Sequence, residues 1–252
     1  MKGGVPYGTL TVVGTGIRIG VQLTPESRAS IAAADEFLYV NAEPLGERWL
    51  ASLHPNARSL APLYRAGANR AGVYEAIVEA ILQPVRRGAA VCAAFYGHPG
   101  VFVRPSHEAV ARARAEGHAA RMLPAVSAED CLFADLGIDP ATYGCVSFDA
   151  TTFLARARPI DSSASLILWQ VAAVCETRAV VEGEHGANVP LLVKRLATAY
   201  PDDHEVVLYE ASPFPVADPS VQRLSLAELA RTVPAPQATL YVPPLASAAP
   251  TT

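Results

Sequence analysis

The chain reads as an α/β protein of two domains, and three observations lead there. Through the first half, short apolar runs alternate with helical patterns, the signature of a mostly parallel sheet covered by helices on both faces. Beside Pro124 the texture changes: the runs that follow are richer in alternation and have fewer helices between them, which suits a mixed sheet. The 252 residues are 51% apolar and 17% charged, enough to build two cores. We therefore place an N-terminal α/β domain at 1–124, a mixed α/β domain at 125–245 and a flexible tail at 246–252.

The elements follow in order. TLTVV, Thr9 to Val13, is a β-branched run that ends at Gly14-Thr15-Gly16, as a buried strand turning sharply would. Pro25 and Glu26 open a helix through SRASIAAAD, and EFLYV, Glu36 to Val40, is the next strand. From Gly72 to Arg87 the period is helical, with Val73, Ile77, Ile81 and Val85 on one face. Ala89 to Tyr96, bounded by Gly88 and Gly97, is too short for a typical helix and reads as a central strand. A helix opening on Pro105 and Ser106 with capping chemistry runs to Gly117, and Ala120 to Leu123 is the strand after it. SAEDCLFADLG is a short capped helix. The second half then offers CVSFDA, SLILWQV, EVVLYEA and ATLYVPP as strands, with helices at Asn188 to Ala199 and Leu226 to Arg231. In an open parallel sheet, ligands sit beyond the carboxyl ends of strands, so the loops after Val13 and Tyr96 are the places to look.

Composition excludes several functions. A net charge of −4 with scattered arginines gives no footprint for a phosphate backbone, so no nucleic-acid partner is expected. No apolar run approaches the roughly 20 residues that span a bilayer, and the N-terminus does not resemble a signal peptide. The expectation is a soluble, cytoplasmic protein without membrane contact. Cys92, Cys131, Cys145 and Cys175 are widely spaced, with no metal-ligand spacing, and read as reduced, buried thiols; no metal is expected.

Three features could carry chemistry. Gly14-Thr15-Gly16 could let backbone N–H groups approach a ligand, or be a plain tight turn; Gly20 falls one position too late for a dinucleotide fingerprint. Tyr96-Gly97-His98-Pro99-Gly100 specifies a rigid, open loop able to hold a flat ligand, or a turn whose glycines serve geometry alone. In LYRAGANRAGVY, Tyr64, Arg70 and Tyr74 place a guanidinium beside two phenols, which can lower a phenol pKa or stabilise an oxyanion; exposed arginine and packed tyrosines are the plainer alternative.

Taken together, these pieces resemble a known family. The stretch Tyr96 to Pro140, with LTVVGTGI, LYRAGANRAGVY, LILWQV, EVVLYEA and ATLYVPP, is similar to the borosin-type peptide α-N-methyltransferases, which make omphalotin-like peptides. Their parent superfamily is the tetrapyrrole methylases. The resemblance implies the two-domain tetrapyrrole-methylase (class III methyltransferase) fold, a homodimer, and S-adenosylmethionine held in the cleft between the domains. The superfamily's usual Gly-Asp-Pro is Gly97-His98-Pro99 here, and its Pro-Gly-Asp after the first strand is Ile17-Arg18-Ile19, departures that match the borosin branch.

By the same resemblance, Tyr64, Arg70 and Tyr74 fall on the catalytic loop. Tyr96, His98, Val101, Phe102, Ser127 and Ala128 fall on cofactor-contacting loops, and Gln170, Glu210, Ala211, Ala238 and Thr239 complete the pocket from the second domain. Ala61 stands where members can carry a further tyrosine. The implied reaction is iterative α-N-methylation of backbone amides in a separate precursor peptide, in trans, since the tail APTT offers no apolar core-peptide repeat. A dimer is also suggested by the apolar helix from Val73 to Val85. The alternatives are tetrapyrrole C-methylation and a non-catalytic, methylase-like binding module.

Overall fold

The computed structural model describes residues 7–41, 43–64, 69–176 and 186–245. They form two compact units, one comprising the residues up to Cys131 together with Pro213–Ala217, the other Leu132–Ser212 and the residues from Asp218. Pro124 lies on the loop between the last strand of the first sheet and the next helix. The tail at 246–252 lies outside the described residues, as do 65–68 of the LYRAGANRAGVY segment.

The first unit holds β1 (Thr9–Gly14), α1 (Pro25–Ala32), β2 (Glu36–Val40), α2 (Pro44–Ala51), β3 (Ala57–Ser59), α3 (Arg70–Arg86), β4 (Ala90–Phe95), α4 (Arg104–Ala115) and β5 (Ala119–Met122). Its sheet has the order β3-β2-β4-β1-β5, and every pairing is parallel. Parallel strands need crossovers, and the helices supply them on both faces. Leu10, Val12, Val91, Ala93 and Phe95 point to the side of α3 and α4, where Val73, Ile77, Ile81, Val85, Ala109 and Ala113 meet them. Val13, Phe37, Tyr39, Cys92 and Ala94 point the other way, to Ile31 of α1 and Leu50 of α2. The period of two along β4 thus divides one apolar run between two cores.

This consumes the apolar face of α3: Val73, Ile77, Ile81 and Val85 are at most 5% exposed and lie in the core that α3 forms with β1, β4 and α4. The surplus that suggested a dimer from this helix is therefore absent, and the expectation of a dimer rests on the resemblance alone. α3 also starts two residues before Gly72, because Asn69 caps it, its side chain accepting from Ala71 N at 2.9 Å. Arg70 is thereby a helical residue rather than a loop residue. α4 lacks the expected side-chain cap; it begins at Arg104, and Ser106 sits in its first turn, donating to the carbonyls of Pro99 and Val103.

α5 (Ala128–Leu136) leads on to the second unit, which holds α6 (Pro140–Tyr143), β6 (Cys145–Asp149), α7 (Ala150–Ala155), β7 (Ser165–Trp169), α8 (Val189–Leu196), β8 (Glu205–Glu210), β9 (Ser220–Ser225), α9 (Leu226–Leu229) and β10 (Thr239–Val242). Its sheet runs β6-β7-β10-β8-β9; β6 and β7 are parallel and the other pairs antiparallel. The alternation expected of these strands does not appear in the centre. β7 and β10 are buried throughout, since both faces of the sheet are covered. The cysteines also depart from expectation: Cys92 and Cys131 are buried, but Cys145 is half-buried and Cys175 exposed.

Candidate active site

The direction of the crossovers fixes where a ligand can sit. β1 and β4 are neighbours, yet the chain leaves β1 towards β2 by way of α1 and leaves β4 towards β5 by way of α4. Those helices lie on opposite faces. The carboxyl ends of β1 and β4 therefore flank a topological switch point, where loops diverge and leave a crevice.

Both predicted loops start there and are stitched together. Gly16 N donates to the Gly97 carbonyl at 3.3 Å and Gly97 N to the Gly16 carbonyl at 3.0 Å, while Thr15 N reaches the Phe95 carbonyl at 2.9 Å. Gly16 and Gly97 have φ of +71° and +70°, which glycine adopts without strain. Gly14 is required for another reason: a Cβ there would lie 2.5 Å from Ala125 Cβ and 2.7 Å from Pro99 Cδ, and closer still to the Gly97 carbonyl oxygen. The loop after β1 is further shaped by Gln22, whose Oε1 accepts from Ile17 N and Arg18 N, each at 2.8 Å.

His98 serves this geometry. Its Nδ1 accepts from Gly100 N at 2.9 Å and its carbonyl from Val101 N at 3.1 Å, so the ring closes the tip of the loop. Tyr96 and Val101 are half-buried, and Phe102 is 44% exposed with φ of +56°. A left-handed phenylalanine costs on the order of 1–3 kcal/mol, and such strain gathers at ligand sites. Ser127 and Ala128 open α5, as expected of a capped helix: Ser127 N and Oγ donate to Asp130 Oδ2 at 2.7 Å, and Asp130 N returns to Ser127 Oγ at 3.2 Å.

The second unit brings its five candidates to one end of its sheet. Gln170 follows β7, Glu210 closes β8 with Ala211 after it, and Ala238 and Thr239 open β10. β10 lies between the other two antiparallel to both, with Leu240 opposite Leu168 and Thr239 opposite Tyr209. The register thus carries Ala238 to the level of both Gln170 and Glu210. Gln170 is left-handed, with φ of +57°. Beside this end, Tyr209 Oη donates to Asp135 at 2.6 Å.

Arg70 is the first residue of α3, and Tyr74 stands one turn on, on the same face. A cation at the positive end of a helix opposes the macrodipole by a few tenths of a kcal/mol. Tyr64 follows a short 3-10 turn, Ala61–Leu63, in which Ala61 lies. Although the residue is 45% exposed, protein packed about the phenol pushes its pKa up to about 12; negative charge on Tyr74 adds to this, and Arg70 opposes it. The three side chains are thus within electrostatic reach of one another. The expected lowering of a phenol pKa by the guanidinium does not prevail at Tyr64, because desolvation outweighs it.

A small concavity of about 30 Å³ is lined by Tyr74 and Glu75 of α3 and Arg104 and Arg112 of α4, and a larger one lies elsewhere. A groove of about 350 Å³ runs between α1 and the amino ends of β1 and β4, past Thr11, Ala33, Ala90 and Arg121, at the opposite end of these strands from the stitched loops. Its lining offers little convergent chemistry, and strand topology is the better guide. Among the described residues no helix is long and apolar enough to cross a membrane, and no group of three or more His, Cys, Asp or Glu could hold a metal ion.

Solved structures share this fold. The structure of uroporphyrin-III C-methyltransferase from Thermus thermophilus complexed with S-adenyl homocysteine superposes with a TM-score of 0.64, covering 94% of this chain and 92% of that one at 17% identity. That likeness defines the fold as that of a methylase of this type. The profile of the Tetrapyrrole (Corrin/Porphyrin) Methylases matches residues 9–227, and the chain belongs to that family. Among curated relatives, it is 41% identical over 241 residues to the methyltransferase/ribosomally synthesized cyclic peptide gymnopeptides precursor of Gymnopus fusipes, covering 94% of this chain and 57% of the relative. It is 42% identical over 243 residues to the corresponding dendrothelin A precursor of Dendrothele bispora, covering 95% and 58%. The chain thus spans little more than half the length of these relatives.

Proposed function

We propose that the chain is an S-adenosylmethionine-dependent methyltransferase acting on backbone amides of a ribosomally made precursor peptide. The observation that carries this reading is the conjunction of the stitched loops at the switch point with Tyr64, Arg70 and Tyr74 at the start of α3. Its support from relatives is that those sharing about 40% identity across nearly the whole chain are named as methyltransferase and cyclic-peptide precursor in one.

The residues fit the cofactor in kind. The loops are glycine-rich, they present backbone and an exposed aromatic rather than a cationic cradle, and Phe102 and Gln170, two of the four non-glycine residues with positive φ among the described residues, stand among the assigned positions. Tyr96, His98, Val101, Phe102, Ser127 and Ala128 from one unit, and Gln170, Glu210, Ala211, Ala238 and Thr239 from the other, would hold it. When bound, S-adenosylmethionine supplies an electrophilic methyl group.

The chain's own part is to make an amide nitrogen nucleophilic. Amide resonance ties up the nitrogen lone pair, and removing the proton restores it. In this reading Tyr74, as phenolate, takes that proton on Oη and becomes the neutral phenol, and Arg70 and Tyr64 donate hydrogen bonds to the oxygen that gains the charge. The raised pKa of Tyr64 suits a donor, since the phenol stays protonated at neutral pH. The finer proposal is a homodimer that methylates a separate peptide in trans and at several positions; light scattering reads the first part and the mass of a peptide added from outside reads the second.

Calorimetry with S-adenosylhomocysteine and with NAD tests the cofactor assignment. Saturable binding of the former is expected. Saturable binding of NAD alone would overturn it.

A further inference from the structure

Gln22 belongs to none of the groups assigned above, yet it lies at the root of the stitched loops. Its side chain turns back five residues so that one oxygen, Oε1, takes the N–H groups of both Ile17 and Arg18 at 2.8 Å, while its amide nitrogen lies 3.9 Å from Cys131 Sγ. Two successive N–H groups aimed at one point form a nest that ordinarily receives an anion; here a neutral side-chain oxygen fills it. The stem packs against Gly16, where a Cβ would collide with Gln22 Cβ, and Gly16 is the residue paired in both directions with Gly97. One side-chain oxygen therefore holds two successive N–H groups of the loop after β1, beside the backbone bonds of Gly16 with Gly97 and of Ile19 N to the Pro213 carbonyl. Without it, two neighbouring N–H groups in a part-buried loop lose their acceptor, and that loss favours another path.

We propose that Gln22 is a positioning residue for the cofactor: its Oε1 holds Ile17 and Arg18 so that the Gly16–Gly97 pair presents a preformed edge to the ligand. This rests on the cofactor reading above. The oxygen, not the amide as a whole, does the holding, so glutamate can replace it and methionine, of similar length without an acceptor, cannot.

The test compares wild type, Gln22→Met and Gln22→Glu by S-adenosylhomocysteine calorimetry and by hydrogen exchange at the Ile17 and Arg18 amides. Gln22→Met is expected to weaken binding on the order of tenfold and to expose both amides to exchange; Gln22→Glu is expected to stay within about threefold of wild type with both amides protected. Met binding as tightly as wild type, or Glu as weakly as Met, overturns the proposal. If Gln22→Met does not fold, Gln22→Glu decides: retained affinity and protection support the role, and their loss overturns it. Hydrogen exchange needs no ligand, so a wild-type chain that binds no S-adenosylhomocysteine would count against the cofactor reading, while the amides still report on Gln22.

Discussion

Gly14→Ala puts the stitched loops under direct test. The added Cβ would meet Ala125 Cβ at 2.5 Å and Pro99 Cδ at 2.7 Å, with the Gly97 carbonyl oxygen nearer than either. Carbon atoms rest at about 3.5–4.0 Å, so each neighbour would have to retreat by roughly 1 Å. None can turn aside as a flexible side chain would: one is backbone, one a proline ring and one a Cβ. Overpacking of this kind costs about 1–3 kcal/mol, and we expect the upper end, about 3 kcal/mol. At roughly 2–4 °C per kcal/mol for a chain of this size, the calorimetric transition should fall by roughly 6–12 °C. S-adenosylhomocysteine binding should fail with it, because the strain is relieved by parting the loops after β1 and β4. Gly72→Ala is the control; nothing lies within 4 Å of its Cβ, it is helical, and the change should stabilise by about 0.5–1 kcal/mol. A Gly14→Ala protein that melts with wild type and binds as tightly would show that the contacts at Gly14 do not hold the loops after β1 and β4 together.

Two further outcomes follow from single groups. Burial pushes the Cys92 thiol up to about 12, whereas Cys175 is exposed, so alkylation at neutral pH should mark Cys175 and spare Cys92 until the chain is unfolded; intact and peptide mass spectra read this, and native labelling of Cys92 would contradict it. Tyr64 has its pKa raised above the ordinary phenol value of about 10, so the stability it contributes is present below about pH 10 and is lost as pH rises through about 12. Phenolate absorbance should lose a component titrating near 12 in Tyr64→Phe, and an unchanged curve would show that the phenol is not desolvated.

Much of the fold was legible because the first half is built from crossovers. β2 appears at the residues EFLYV that mark it, and β1, β4 and β5 fall within a residue or so of theirs. What escaped has physical reasons. β3 has three residues and β9 is an exposed edge strand, SVQRLS, so neither carries an apolar run. α2 starts on a Glu43 cap and holds Gly46, which blurs its period. The extra first turn of α3 had a signal in Asn69, a good capping residue. Gln22 had none, since a side chain folding back on its own loop leaves no periodicity. The candidate loops were legible where glycines and aromatics end a strand, and the candidates Tyr64, Arg70 and Tyr74 where a guanidinium and two phenols share one segment. The positions in the second unit came from resemblance, and register explains why they lie together.

The proposed reaction has the start of α3 remove a proton from an amide and stabilise the charge that develops there. Its most direct measurement is mass spectrometry of a precursor peptide, of the kind the relatives carry, incubated with S-adenosylmethionine and either wild type, Arg70→Ala or Tyr74→Phe. Wild type should add methyl groups that fragment ions place on backbone nitrogens. Arg70→Ala should lose roughly 3–4 kcal/mol of transition-state stabilisation, about a hundredfold to a thousandfold in rate, with S-adenosylhomocysteine affinity nearly unchanged. Tyr74→Phe should be inactive at the same affinity. Methyl groups on side chains, or full turnover by both variants, would contradict that proposal.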